Sequence, residues 1–120
     1  MDSRAAPPSA AALAATGAHR SLTFEEMQGK AGEATILLKS MANETRLMIL
    51  CQLVDGERSV AQLLETIPLG QSALSQHLAV LRRERLVTSR REAQSMYYSL
   101  ASREVHAIIQ TLYELFCGCD

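Results

Sequence analysis

The sequence predicts a mainly α-helical fold with one β-hairpin, in the order α-α-α-α-β-β-α. Three observations predict it. Apolar residues recur at helical spacing in separate stretches between Thr23 and Cys117. One late stretch, Leu86 to Leu100, is instead rich in β-forming residues. A third stretch, Gln71 to Arg85, sets a helical stripe of Leu74, Leu78 and Leu81 against a polar and basic opposite face.

The elements follow in order. Residues 1–20 are rich in Ala, Pro and Ser and read as a flexible tail, leaving residues 21–120 as the folded domain. Thr23 caps a first helix that runs to about Ser40, with Glu25 and Glu26 in its first turn, where carboxylates complement the helix dipole. Its stripe of Phe24, Met27, Ala31, Ala34, Leu38 and Met41 covers the core or pairs with a second copy. Asn43 caps a second helix that stops at Asp55-Gly56. Leu47, Leu50, Cys51 and Val54 share a face there, which predicts a buried or half-buried Cys51. Ser59 caps a third helix that ends before Pro68.

The fourth helix is Gln71 to Arg85. Two short helices joined by a tight turn, the second polar and basic, make a helix-turn-helix. Gln71, Ser72, Ser75 and Gln76 can reach base edges, while Arg82 and Arg83 can pair with guanine or phosphate. After it, Leu86 to Arg90 and Ser95 to Leu100 form a hairpin across the polar stretch Arg91 to Gln94, the wing of a winged helix-turn-helix. Arg90 and Arg91 are expected near its tip, placed for backbone phosphates. Ser102 caps a last helix whose stripe of Val105, Ile108, Ile109, Leu112, Leu115 and Phe116 predicts a subunit interface shared with the first helix. The expected assembly is a homodimer presenting two reading helices roughly 34 Å apart.

Composition bounds the function. The chain has 120 residues and 48 % hydrophobic content, enough for one small domain that gains by dimerising. No run of apolar residues is long enough to span a membrane, and the first twenty residues resemble neither a signal nor a transit peptide, so a cytoplasmic location is expected. Net charge is only −1, but its distribution is uneven. From Gln71 to Arg91, five arginines face one acid, Glu84, a local +4 on a chain that is otherwise about −5. Double-stranded DNA is the partner that such a patch fits. Three cysteines, Cys51, Cys117 and Cys119, are an odd number, and in a reducing compartment they are no disulfide framework. Cys117-Gly118-Cys119 lacks the spacing of a dithiol enzyme motif, and no Gly-rich phosphate loop occurs, so the chain does not read as an enzyme and no cofactor is expected.

The segments Leu38 to Leu47, Ser72 to Leu78, Leu81-Arg82, Leu86-Val87 and Tyr97 to Leu100 together resemble the ArsR/SmtB winged-helix repressors, over about residues 25 to 117. The resemblance implies a homodimeric repressor that releases operator DNA when an inducer acts, with His77 a groove-side residue of the Ser-Gln-His-Leu motif. Where that family's thiol-rich metal site has Cys-Val-Cys or Cys-Val-Gly, this chain has Ser59-Val60-Ala61, so the soft-metal ligand is missing. The family's zinc spacing is met numerically by Glu104, His106, Cys117 and Asp120. Aligned from Tyr97-Tyr98, however, that set is shifted by two residues, which turns it about 200° around the helix.

In the persulfide-sensing SqrR/BigR-like branch, two cysteines follow an Arg-Leu-x-Ile-Leu segment and end a Leu-Tyr-x-Leu-Phe segment. Cys51 and Cys117 occupy those places here. The resemblance implies an inducer that is a low-molecular-weight persulfide or polysulfide, and an intramolecular disulfide or polysulfide as the released state. A zinc-responsive repressor using Glu104, His106, Cys117 and Asp120, and a general peroxide thiol switch using Cys51 and Cys117, remain the alternatives.

Overall fold

The computed structural model describes residues 23–118. The expected tail over residues 1–20, together with Cys119 and Asp120, lies outside the described residues. The elements are α1 (Phe24–Met41), α2 (Glu44–Gln52), β1 (Arg58–Ser59), α3 (Val60–Thr66), α4 (Gln71–Arg83), β2 (Val87–Glu92), β3 (Ser95–Leu100) and α5 (Arg103–Phe116). The five helices and the hairpin therefore stand as expected, and β1 is an addition. Its two residues pair antiparallel with β3, Arg58 opposite Tyr98 and Ser59 opposite Tyr97, making a sheet of order β1-β3-β2.

Two compact units divide the chain between Ala34 and Thr35, inside α1. The first contributes the start of α1. There Thr23 Oγ1 accepts from the Glu26 N–H at 3.0 Å and Glu26 Oε1 accepts from the Thr23 N–H at 3.4 Å, a reciprocal cap of the helix end. Phe24 and Met27 are exposed.

The second unit holds the core. Asn43 Oδ1 accepts from the Arg46 N–H at 3.0 Å and starts α2. Arg46 Nη1 donates to Ser40 O at 2.9 Å, satisfying a carbonyl at the end of α1 that has no helical partner. Ser59 and Gln62 form a full capping box at the start of α3. Inward come Ile49, Leu50 and Leu53 of α2 and its exit, Leu63 and Ile67 around α3, Leu74, Leu78 and Leu81 of α4, Leu86 and Val87, and Val105 and Ile109 of α5. Each such side chain contributes roughly 1.5–3 kcal/mol by leaving water.

The buried face of α2 differs from the expected one. Ile49, Leu50 and Leu53 turn inward, Leu47 and Val54 are half-buried, and Cys51 is exposed. Residue 51 lies about 100° from Leu50 and 200° from both Ile49 and Leu53, which turns it away from this face. Where a buried or half-buried Cys51 is expected, the residue is exposed, with its sulfur partly buried.

The junction of α4 with β2 has a specific geometry. Leu86 N–H bonds to Leu81 O at 2.8 Å and Arg85 N–H to Arg82 O at 3.0 Å, with Arg85 at φ +65°. This left-handed helix stop turns the chain sharply and seats Leu86 in the core beside Leu81. The wing thus starts from a fixed point on the reading helix.

Candidate nucleic-acid interface and thiol pair

On α4, burial of Leu74, Leu78 and Leu81 decides which side chains remain outside. At 100° per residue the opposite face centres on Ser72, Ser75, Gln76 and Arg83, flanked by Gln71 and Arg82. All six are exposed. His77 is not among them. It lies next to the leucine stripe and is half-buried, unlike these six. Gly70 caps α4 with no side-chain bond, which leaves first-turn N–H groups open toward solvent or a phosphate. Arg82, Arg85, Thr88, Ser89 and Ser102 line a groove of about 480 Å³ where α4, β2 and the start of α5 meet. Arg85 belongs to the basic patch, but its sequence does not mark it as a site residue; its exposure beside Arg82 is the feature that brings it in.

The wing has a shorter loop than its polar stretch implies. Its loop is only Ala93-Gln94, so Arg90 and Arg91 lie within β2, opposite Tyr97 and Met96. Successive strand residues point to opposite faces, so the two arginines do not act together. Arg90 donates to both oxygens of Glu57, Nε to Oε2 at 2.7 Å and Nη2 to Oε1 at 2.8 Å, and through Nη1 to Glu92 Oε1 at 2.8 Å. Its guanidinium also lies 4.8 Å from the Tyr97 ring centroid. The Arg90 hydrogen bonds hold the Glu57 carboxyl below the usual carboxylate range. Arg91 is exposed, and no ion pair of Arg91 occurs among the described residues.

Helix α2 packs on α5, and the two thiols sit on these elements. Cys51 is near the end of α2, and Cys117 follows the last turn of α5 with its N–H bonded to Tyr113 O at 2.7 Å. Both are free and exposed. Partial burial of the Cys51 sulfur pushes its thiol pKa up, and the nearby charge of Cys117 pushes it further. Cys51 also opens on a cavity of about 290 Å³ shared with Arg58 and Tyr113.

The metal alternative finds no converging ligands. His106 Nε2 is 3.2 Å from Val54 O, tying α5 to the exit of α2, and Asp120 lies outside the described residues. Among the described residues no three His, Cys, Asp or Glu side chains are arranged to hold a metal ion. Ser59, at the place of the family's soft-metal cysteine, uses its hydroxyl in the α3 cap.

Three stacked leucines holding a polar helix outward, a tight stop after it and an antiparallel wing define the class, a winged helix-turn-helix regulator. Residues 43–89 match the arsR family of bacterial regulatory proteins. The chain is 52 % identical to the transcriptional activator HlyU of Vibrio cholerae, over 82 % of this chain and 92 % of that protein. Its fold matches reduced HlyU from Vibrio cholerae with TM-score 0.74 and 53 % identity, covering 78 % of this chain and 99 % of that one. It matches the transcriptional repressor BigR from Xylella fastidiosa with TM-score 0.75 and 40 % identity, covering 80 % and 98 %. The chain therefore belongs to the arsR family of bacterial transcriptional regulators.

Proposed function

We propose that this protein is a homodimeric repressor that binds operator DNA and lets it go when reactive sulfur species link Cys51 to Cys117. Gln71, Ser72, Ser75 and Gln76 read base edges from α4. Arg82, Arg83 and Arg91 hold phosphates, and Arg90 braces the wing through Glu57. The observation that supports the sensing part is geometric: α2 packs on α5, Cys51 and Tyr113 line one cavity, and the Cys117 N–H bonds to Tyr113 O at 2.7 Å.

The chemistry needs no outside oxidant. The Cys51 thiolate attacks the outer sulfur of an organic persulfide RSSH, and the thiol RSH leaves. Attack by Cys117 on the inner sulfur of the Cys51 persulfide then expels hydrogen sulfide and leaves a disulfide. The sulfane sulfur is reduced as the two thiols are oxidised. Each further RSSH consumed adds one sulfur to the bridge and releases one RSH. A direct disulfide needs Cα atoms within about 7 Å, so a polysulfide bridge tolerates wider separations of α2 and α5. Either bridge clamps the helix beside the reading unit to the helix at the dimer seam. Misplacing the reading helices removes the specific contacts that separate operator from bulk DNA, about 4–10 kcal/mol in typical complexes.

Intact-protein mass spectrometry after treatment with an organic persulfide tests this. The expected result is the loss of two free thiols, mass added in steps of sulfur, and operator release. Cys51→Ser should still bind operator but stay bound under persulfide, while His106→Ala should respond normally. Equal release by peroxide, with no added sulfur, would replace this reading with a general peroxide switch. HlyU is named an activator and BigR a repressor, so a promoter fusion fixes the sign: expression that falls on deletion of the protein would overturn repression.

A further inference from the structure

The cavity beside Cys51 carries more chemistry than a bare thiol switch requires. It measures about 290 Å³, at the lower end for ligand sites, which suits a molecule of amino-acid size. Cys51, Gln52, Asp55, Arg58, Gln110 and Tyr113 contribute to its walls. Arg58 is half-buried and fixed at its neck, because Nε donates to Gln52 O at 3.3 Å. Pairing of β1 with β3 fixes its backbone. No ion pair of Arg58 or Asp55 occurs among the described residues. The cavity thus offers a thiol, an anchored guanidinium and a separate carboxylate. This arrangement is complementary to a zwitterion that carries sulfur.

We infer that this cavity is a docking site for a persulfide borne on a zwitterionic, amino-acid-type thiol, with Arg58 receiving its carboxylate and Asp55 its ammonium while Cys51 takes the outer sulfur. The inference rests on the sulfur-sensing reading and names the inducer class for it. Arg58 can grip a carboxylate through its terminal N–H groups, the strongest kind of neutral-pH hydrogen bond available here. Docking converts a bimolecular sulfur transfer into a positioned one. In the transfer, the Cys51 sulfur bonds to the outer sulfur of the persulfide, the original S–S bond breaks, and the carrier leaves as its thiolate. Both charged groups of the carrier remain unchanged.

The test compares initial rates of Cys51 sulfuration on the full-length protein with persulfides of four carriers: cysteine (zwitterion), 3-mercaptopropionate (anion), cysteamine (cation) and 2-mercaptoethanol (neutral). Inorganic polysulfide supplies the carrier-free reference rate. Wild type should favour the cysteine persulfide. Arg58→Gln should slow the cysteine and mercaptopropionate persulfides by roughly tenfold, the worth of one charge-assisted hydrogen bond, and leave the neutral carrier unchanged. Arg58→Lys should recover part of that loss. Asp55→Asn should slow the cysteine and cysteamine persulfides only. Equal wild-type rates for all four carriers, or equal slowing of all four by Arg58→Gln, would overturn the docking site. If Cys51 takes up sulfur from polysulfide in that case, the sensing reading survives. No sulfur uptake from any donor would remove both.

Discussion

Cys51 responds to pH in a direction that follows from its surroundings. Deprotonation makes an anion, which partial burial disfavours and a second thiolate disfavours again, so both effects push the Cys51 pKa up. Removing Cys117 removes only the second effect. Cys117→Ser should lower the inflection in the pH profile of Cys51 alkylation, yet leave it above that of an ordinary thiol, because burial is the larger cause. An unmoved inflection would mean that the two sulfurs do not interact. The arginines of β2 divide in a similar way. Arg91→Ala should reduce the salt slope of operator binding by about one counterion, as expected for a phosphate contact. Arg90→Ala should reduce it less, since Glu57 and Glu92 already neutralise that guanidinium. A Glu57→Gln variant, which leaves Arg90 with Glu92 alone, should steepen the slope. Equal slopes for all three variants would contradict this division. The sequence alone could not separate Arg90 from Arg91, because Glu57 lies 33 residues from Arg90 and only the folded wing brings them together.

At the level of elements, local signals predicted what local interactions build. Asn43, Ser59 and Ser102 all cap the helices they are expected to cap, because a side-chain oxygen reaching an N–H three residues on is a short-range event. Leu74, Leu78 and Leu81 are buried as their spacing implies. β1 is invisible in the sequence because two residues, Arg58 and Ser59, carry no strand pattern; their pairing partner lies some 40 residues away in β3. The face of α2 is ambiguous in the sequence because Leu47 and Val54 look as apolar as Ile49 and Leu53, and only the positions of α4 and α5, both packed on α2, decide between them. The polar stretch of the hairpin suggests a four-residue loop, yet the loop is two residues, Ala93-Gln94. Ala93 there has φ +58°, which a side chain with a Cβ adopts at a cost. Ala93→Gly should therefore stabilise the wing by about 0.5–1 kcal/mol, less any entropy gained by the unfolded chain. Ser59→Ala should do the reverse, costing about 1 kcal/mol through loss of the capping box. Thermal unfolding of both variants checks the two signs, and a destabilised Ala93→Gly would show that the turn is not strained.

The molecule as a whole leaves apolar surface that one subunit does not cover. Ile36 and Leu38 on α1 and Leu115 and Phe116 on α5 are exposed, Phe116 at 79 %. The greasy stripe expected on α5 is thus split: Val105 and Ile109 serve the subunit core, and the end of the helix is left for something else. Exposed apolar groups in this number mark an interaction surface, and a second copy of the same chain is the occupant proposed for it. DNA binding then depends on that seam. Two reading helices joined in one dimer bind the second half-site at high effective concentration, a gain of about 10²–10⁴ over a single subunit. Phe116→Glu and Ile36→Glu place a charge where the partner would pack. Each residue is exposed in the subunit, so neither change should unfold it, and surface substitutions ordinarily cost under about 0.5 kcal/mol. Both variants should sediment as monomers, keep their helical circular dichroism, and lose operator affinity by a factor within that range. Loss of operator binding by a variant that still sediments as a dimer would place these residues in DNA contact instead. Dimers with unchanged affinity in both variants would refute the seam and, with it, the idea that a bridge at Cys117 reaches the operator through subunit geometry.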